Sequence, residues 1–378
     1  MKQTKITHLT SAHPRYDTRI FIKECSSLAK VESYRVNLVV SDGLGDEAKS
    51  SVNIYDVGKL QGRVNRILKT TKKVLKKAIE LDSDIYHLHD PELIPIGLKL
   101  RKIGKKVIFD SHEDVPKQLM AKHYLGSFTK KFASFVYKNY EKWALKKIDF
   151  IVSATPIIRD KFLDYGCQSL DINNYPLKKE FHHLKKPKIM SQIAYIGVLY
   201  NTRGIKEIVQ ALEYVKDAKL VLAGEFFSKE FEDEVKSLQG WQKVDFRGFV
   251  GRDEVNEILQ QSVLGLVTLH PTPSYVESLP VKMFEYMSAS IPVIASDFDY
   301  WQEIVASNHC GLCVNPLKPK DIADAINYII THPKEAKEMG ENGKKAVLEK
   351  YNWEIEEKKL LEVYKVVLTQ EEIRRNYE

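Results

Sequence analysis

No apolar run in this chain approaches the roughly 20 residues that cross a bilayer, so no integral membrane segment is expected. The opening residues, MKQTKITHLTSAHPRYDTR, carry charge with no apolar stretch behind them; a secretory signal is not expected, and the cytoplasm is the expected compartment. Four cysteines, Cys25, Cys167, Cys310 and Cys313, are too few and too scattered for a disulfide framework. Cys310 and Cys313 form a C-x-x-C, but zinc would need a second ligand pair and only His309 lies nearby. A redox dithiol would open a helix, whereas HCGLCVNP reads as a short strand entering a turn, so the pair is taken as structural. There is no G-x-x-x-x-G-K-[ST], and GVLYNTRG (197–204) lacks the G-x-G-x-x-G spacing, which excludes P-loop and dinucleotide readings. No G-x-S-x-G occurs either, so Ser111, His112 and Asp114 have no nucleophile elbow and hydrolysis is excluded. Nucleic-acid binding has no supporting motif.

What is present describes an ordinary globular protein. The 378 residues are 43% hydrophobic and 29% charged, enough for two domains with separate cores. The net charge of +7 is uneven: residues 1–175 hold 31 Lys and Arg against 20 Asp and Glu, and the remainder 27 against 31. Such asymmetry suggests that the first half faces something anionic, nucleic acid being one possibility and the cytoplasmic membrane leaflet another.

Short β-branched runs alternate with helical stretches. VNLVV (36–40), IYHLH (85–89), VIFD (107–110) and FIVSA (150–154) are separated by segments such as RVNRILKTTKKVLKKAIE (63–80), long enough for crossover helices. PLKKEFHHLKKPKIMS (176–191) is polar and basic and reads as a linker. The alternation then restarts with IAYIG (193–197), KLVLAGE (219–225), VDFRG (244–248), LGLVT (264–268) and PVIAS (292–296). GIKEIVQALEYV (204–215) places Ile205, Ile208, Val209, Leu212 and Val215 on one helical face. The expectation is α/β: a Rossmann-like domain over 1–175, a linker over 176–191, a second Rossmann-like domain over 192–352, and a helix over 353–378 returning to the first. In two doubly wound domains ligands are expected beyond the carboxyl ends of the strands, in the cleft between them.

The most informative stretch is ESLPVKMFEYMSASIPVIAS (277–296). Pro280 suits the first position of a helix running to about Ser288, whose free amides and dipole favour an anion. Lys282 lies in that first turn and is expected to add a full positive charge; Glu285, one turn on, can reach paired hydroxyls, and Glu277 precedes the helix. Phosphate at the amides and hydroxyls at the carboxylates is what a sugar nucleotide requires. The bland alternative is a surface helix with ordinary acidic residues.

The spacing from Glu277 to Glu285 resembles the E-x7-E motif of the family-4 retaining glycosyltransferases, which have the GT-B fold. SAHPRYDTRIFIKECSSLA (11–29), HLHDPELIPIG (87–97), FDSHEDVP (109–116), YIGVLYNTRGIKEIVQAL (195–212), FRGFVGRDEV (246–255) and GENGKKAVLEKYNWE (340–354) resemble stretches of a bacterial branch that builds capsule, lipopolysaccharide and other surface polysaccharides. The resemblance implies that Glu285 holds the ribose and Glu277 contacts the donor sugar. Ser278, Leu279 and Pro280 would meet sugar and diphosphate, His112 would lie near the transferred sugar, and Arg203 would grip the diphosphate. Base recognition is expected through backbone around Gly248 and Val250.

Two departures stand out. Many relatives carry arginine after the glycine of the first second-domain strand, but Gly197 is followed by Val198, and Lys282 is expected to supply the missing cation. Many also have a glycine pair at the first strand–helix turn; here HPRYDTR stands there, with Arg15, Asp17 and Arg19 expected to take over part of the donor contacts. Asp297-Phe298-Asp299 and Asp82-Ser83-Asp84 match D-x-D in letters only, so no metal or other cofactor is expected, with Arg203, Lys282 and the helix amides stabilising the leaving diphosphate.

FTKKFASFVYKNYEKWALKK (128–147) places Phe128, Phe132, Phe135, Val136, Tyr140 and Trp143 on one face with lysines largely elsewhere. A core-packed helix with a solvated basic face is the leading reading, and docking on an anionic membrane the second. The resemblance implies transfer of a hexose-type unit, with retention, from a UDP- or GDP-type sugar to a saccharide or lipid-linked acceptor. A sugar-nucleotide 2-epimerase and a non-catalytic sugar-binding subunit are the alternatives.

Overall fold

The computed structural model describes residues 3–120, 126–180, 188–189 and 191–375. Part of the expected linker therefore lies outside the described residues, as do the two ends of the chain and 121–125. The chain divides into two compact units, Met1–Asn174 with Glu356–Glu378, and Tyr175–Ile355.

The first unit is built on eight described strands: β1 (Thr4–Leu9), β2 (Tyr34–Val40), β3 (Glu47–Lys49), β4 (Val52–Asp56), β5 (Ile85–Leu88), β6 (Lys106–Ser111), β7 (Phe150–Ser153) and β8 (Ser169–Asp171). Their order is β3-β4-β2-β1-β5-β6-β7-β8, parallel except where β3 runs against β4. The chain winds outward in both directions from the β1/β5 pair, which makes that pair the switch point of a doubly wound sheet. The hairpin strands β3 and β4, and β1 and β8, are not among the expected runs. Polarity hides β1: TKITHL contains Thr7 and His8, yet both are fully buried in mid-sheet.

The second unit carries β9 (Gln192–Ile196), β10 (Lys219–Ala223), β11 (Val244–Gly248), β12 (Leu264–Val267), β13 (Val293–Ser296) and β14 (Gly311–Val314) in the order β11-β10-β9-β12-β13-β14, each pair parallel. Its switch point is β9/β12. The expected helix after β9 forms over Ile205–Ala211 and tightens into a 3-10 turn at Leu212–Tyr214, with Ile205, Ile208, Val209, Leu212 and Val215 all buried. The helix Val281–Ser288 buries Met283, Phe284, Tyr286 and Met287 against the other face, each worth about 1.5–3 kcal/mol of removed apolar surface.

The last helix, Trp353–Arg375, joins the first unit from Glu356 onward and buries Leu360, Val363, Tyr364 and Val367. The helix Ser127–Leu145 reverses the core-packing expectation. Its buried residues are Glu141, Ala144 and Leu145, while Phe128 is 83% exposed and Phe132, Phe135, Val136 and Trp143 also face solvent. Glu141 is tied inside by Lys161 at 2.7 Å. No described helix is long and apolar enough to cross a membrane.

Candidate active site

In the second unit the candidate residues gather where β9 and β12 end. Gly197 follows β9 with φ +131°, and a Cβ there would stand 3.2 Å from Lys282 Nζ. Gly204 has φ +74°, and a Cβ would fall 1.9 Å from the carbonyl oxygen of Thr268, just past β12. Only glycine lets this turn close onto the strand, and that closure presents Arg203. The Arg203 guanidinium lies 5.1 Å over the ring of Tyr275.

The helix expected to favour an anion begins at Val281, one residue later than expected, with Pro280 as its extended cap. Upstream, Ser278 is pinned through its backbone: Trp301 Nε1 donates to its carbonyl oxygen at 2.7 Å, and Ser278 Oγ donates to the Tyr275 carbonyl at 3.0 Å. Glu277 and Leu279 on either side are half-buried.

Lys282 is not the solvated cation expected of it. Its Nζ is buried, sits 3.7 Å over the Tyr195 ring and has no hydrogen-bond partner among the described residues. Burial first, and the Arg203 charge second, hold its pKa well below the ordinary lysine range. An anion such as a diphosphate beside a desolvated amine favours its charged form.

Glu285 is engaged rather than open. Its Oε1 accepts from Arg252 Nη2 at 2.6 Å, and the same guanidinium reaches Glu180. Gly248 (φ +63°) ends β11, and its carbonyl oxygen accepts the Gly224 amide at 2.7 Å; Val250 is half-buried two residues on. Arg252, Tyr195, Tyr275 and Trp301 were not anticipated. Arg252 stands in the quoted FRGFVGRDEV, but nothing in that string pairs it with Glu285.

In the first unit His112 follows β6, and its Nε2 lies 2.9 Å from Asp110 Oδ2. Arg19 grips Asp110 with two bonds of 2.8 Å and donates to the Ile172 carbonyl at 2.7 Å. Burial opposes ionisation of Asp110, but Arg19 and His112 hold it well below the usual carboxylate range. Arg19 is thereby consumed in the interior. Arg15 is likewise committed, to Asp42 at 2.7 Å and Glu47 at 3.0 Å, and Asp17 caps a helix start through Arg19 N and Ile20 N. These internal bonds correct the expectation that the three replace donor contacts. Of the D-x-D strings, Asp82 pairs with Lys105 at 2.6 Å and Asp84 accepts the Lys5 amide at 2.8 Å. Cys310 is buried, and burial pushes it up to about 12 and Cys313 up to about 11.

Residues 178–346 match the family described as Glycosyl transferases group 1, and residues 24–173 match Glycosyltransferase Family 4. An uncharacterized glycosyltransferase of Methanocaldococcus jannaschii is 28% identical over 180 residues, 47% of this chain and 45% of that one. Alpha-maltose-1-phosphate synthase of Mycolicibacterium smegmatis is 27% identical over 46% of this chain and 48% of its own. The chain thus spans about half the length of these curated relatives. Among solved structures, sucrose-phosphate synthase from Thermosynechococcus elongatus superposes with a TM-score of 0.76 at 16% identity, over 97% of this chain and 100% of that one. Anabaena HepE in complex with UDP-glucose gives 0.72 at 14% identity, over 96% and 100%. With two Rossmann-like units, both segments matched and the fold shared along nearly the whole chain, this protein belongs with the glycosyltransferases of the GT-B type.

Proposed function

We propose that the protein is a family-4 retaining glycosyltransferase that moves a hexose-type unit from a nucleoside diphosphate sugar, of UDP or GDP type, to a saccharide or lipid-linked acceptor in bacterial surface polysaccharide synthesis. The observation that carries the reading is the buried, unpartnered Lys282 amine, set against Gly197 and near Arg203 at the start of the helix that follows Glu277. A buried amine left without a partner is unfavourable unless a ligand completes it. A diphosphate does so, and the two basic residues with the amides of the helix start stabilise the charge that develops as the sugar–phosphate bond breaks. In this reading the leaving phosphate assists deprotonation of the acceptor, so no protein nucleophile and no metal are required. Glu277, Ser278, Leu279 and Pro280 meet the sugar and diphosphate, and backbone at Gly248 and Val250 meets the base. Glu285 takes the ribose hydroxyls, after exchanging its bond to Arg252 for them. His112 serves the acceptor side, oriented by Asp110. HepE is a structural neighbour solved with UDP-glucose, which favours a uridine donor.

The test is a thermal-shift screen of the full chain against UDP, GDP, ADP, CMP and their sugar conjugates without added metal. A ligand at 100 times its Kd stabilises by about 2.7 kcal/mol. One diphosphate should raise Tm in the parent and not in Arg203→Ala or Lys282→Ala; no response to any nucleotide overturns the reading.

The protein is further proposed to act at the cytoplasmic face of the membrane, as a peripheral protein. The exposed Phe128, Phe132, Phe135 and Trp143, on a helix with Lys130, Lys131, Lys138 and Lys142, have the composition of an interfacial helix. Sedimentation with anionic vesicles, and not with zwitterionic ones, is the expected outcome; equal failure with both counts against it.

A further inference from the structure

The first unit holds a second chemical centre that sugar transfer does not use. β1 and β5 pair in the register His8↔His87, so those two side chains share one face of the sheet. The period-two alternation carries His89 to the same face. The helical turn Thr18–Cys25 lays Glu24 over them. The side chains of all four are fully buried.

Their geometry converges on one point. Glu24 Oε2 lies 3.9 Å from His8 Nδ1, 3.9 Å from His87 Nδ1 and 3.9 Å from His89 Nε2. His8 Nδ1 and His89 Nε2 are 2.8 Å apart, and one donor atom from each of the four residues falls within 4.8 Å of every other. Glu24 Oε1 lies 3.1 Å from the Arg19 guanidinium, and the carboxyl also meets Asp110. Tetrahedral zinc with bonds of about 2.0–2.1 Å holds its ligand atoms roughly 3.4 Å apart. The present spacings bracket that value, so small side-chain rotations suffice.

The charge balance points the same way. Two fully buried carboxylates, Glu24 and Asp110, share one buried guanidinium, Arg19. A bound cation would add positive charge beside these two carboxylates. Two of the rings are already oriented from behind: Asp110 Oδ2 lies 3.3 Å from His89 Nδ1, and the Tyr364 hydroxyl reaches His8 Nε2 at 3.1 Å, while its 2.8 Å bond to His87 Nδ1 would be given up on coordination.

We infer that His8, Glu24, His87 and His89 bind one divalent transition-metal ion of the zinc class in a closed, structural site under the switch point of the first sheet. Three imidazoles and a carboxylate favour zinc over magnesium or calcium. The site is independent of the donor chemistry proposed above and takes no part in it.

The test uses the untagged full chain, expressed in zinc-supplemented medium and purified without chelator, with metal content measured by mass spectrometry. One zinc per chain is expected. Glu24→Gln is a near-isosteric mimic of the protonated acid, so the fold is kept while the anionic ligand is lost; zinc content should fall about tenfold or more. His309→Gln, a variant outside the cluster, should keep its zinc. Chain produced with Co2+ instead should show the intense visible bands of a tetrahedral site, a readout on the parent that stands even if Glu24→Gln fails to fold. A parent without stoichiometric metal, a folded Glu24→Gln that retains it, or an octahedral cobalt spectrum each overturns the inference.

Discussion

At the scale of single residues, Lys282 and Gly197 act as one device. Burial holds the lysine's pKa well below its ordinary range, and the glycine is what leaves room for its amine. Filling the site with a diphosphate raises the amine's pKa, so binding should take up a proton. The empty site has the lowered pKa and the filled one the higher. Affinity is therefore greatest at pH values below the empty-site pKa and falls as pH rises through the window between the two. Calorimetry of UDP binding in buffers of different ionisation enthalpy should reveal an uptake approaching one proton, absent in Lys282→Met. Gly197→Ala places a methyl group 3.2 Å from the amine in a backbone region that side chains rarely adopt. It should lower unfolding stability by about 1–3 kcal/mol in urea titrations and weaken nucleotide binding as well. The letters of 277–285 marked Lys282 as a cation, but its lowered pKa depends on burial and on Arg203, which lies far away in the chain. Likewise, the Arg252–Glu285 bond joins residues 33 apart, a separation at which no motif spacing operates.

At the scale of elements, the helix Ser127–Leu145 shows what periodicity carries and what it omits. The spacing of the aromatics announces an amphipathic helix, and a helix forms. Periodicity does not say which face meets the core, and here that face holds Glu141 in an ion pair while the phenylalanines stay outside. Replacing Phe128, Phe132 and Phe135 with serine should therefore change unfolding stability by only about 0.5 kcal/mol each, against the about 3–5 kcal/mol expected of core phenylalanines. Chemical denaturation of the triple variant checks this, and a large loss would show that the face is covered. β1 is the opposite case. Its threonine and histidine conceal a fully buried strand, because hydrogen bonding and not apolarity accounts for their burial: Thr7 pairs with Ser83 at 2.6 Å and His8 with His89 at 2.8 Å.

At the scale of the whole molecule, the alternation of runs was enough to read two doubly wound units, since parallel strands joined by crossover helices leave a regular mark on the sequence. The route of the last helix has a consequence for the order in which the protein is made. The first unit is assembled from both ends of the chain, and the Tyr364 hydroxyl completes contacts among His8 and His87 in its interior. Residues 1–174 therefore leave the ribosome well before the segment that closes them, whereas Tyr175–Ile355 is one continuous stretch. The expected order of maturation is then the reverse of the usual N-to-C one. On ribosomes stalled once residue 355 has emerged, protease should spare the later unit and digest the earlier one. Resistance of residues 1–174 should arise only once the segment from Glu356 onward has been released as well, so that the unit begun first matures after the one begun second.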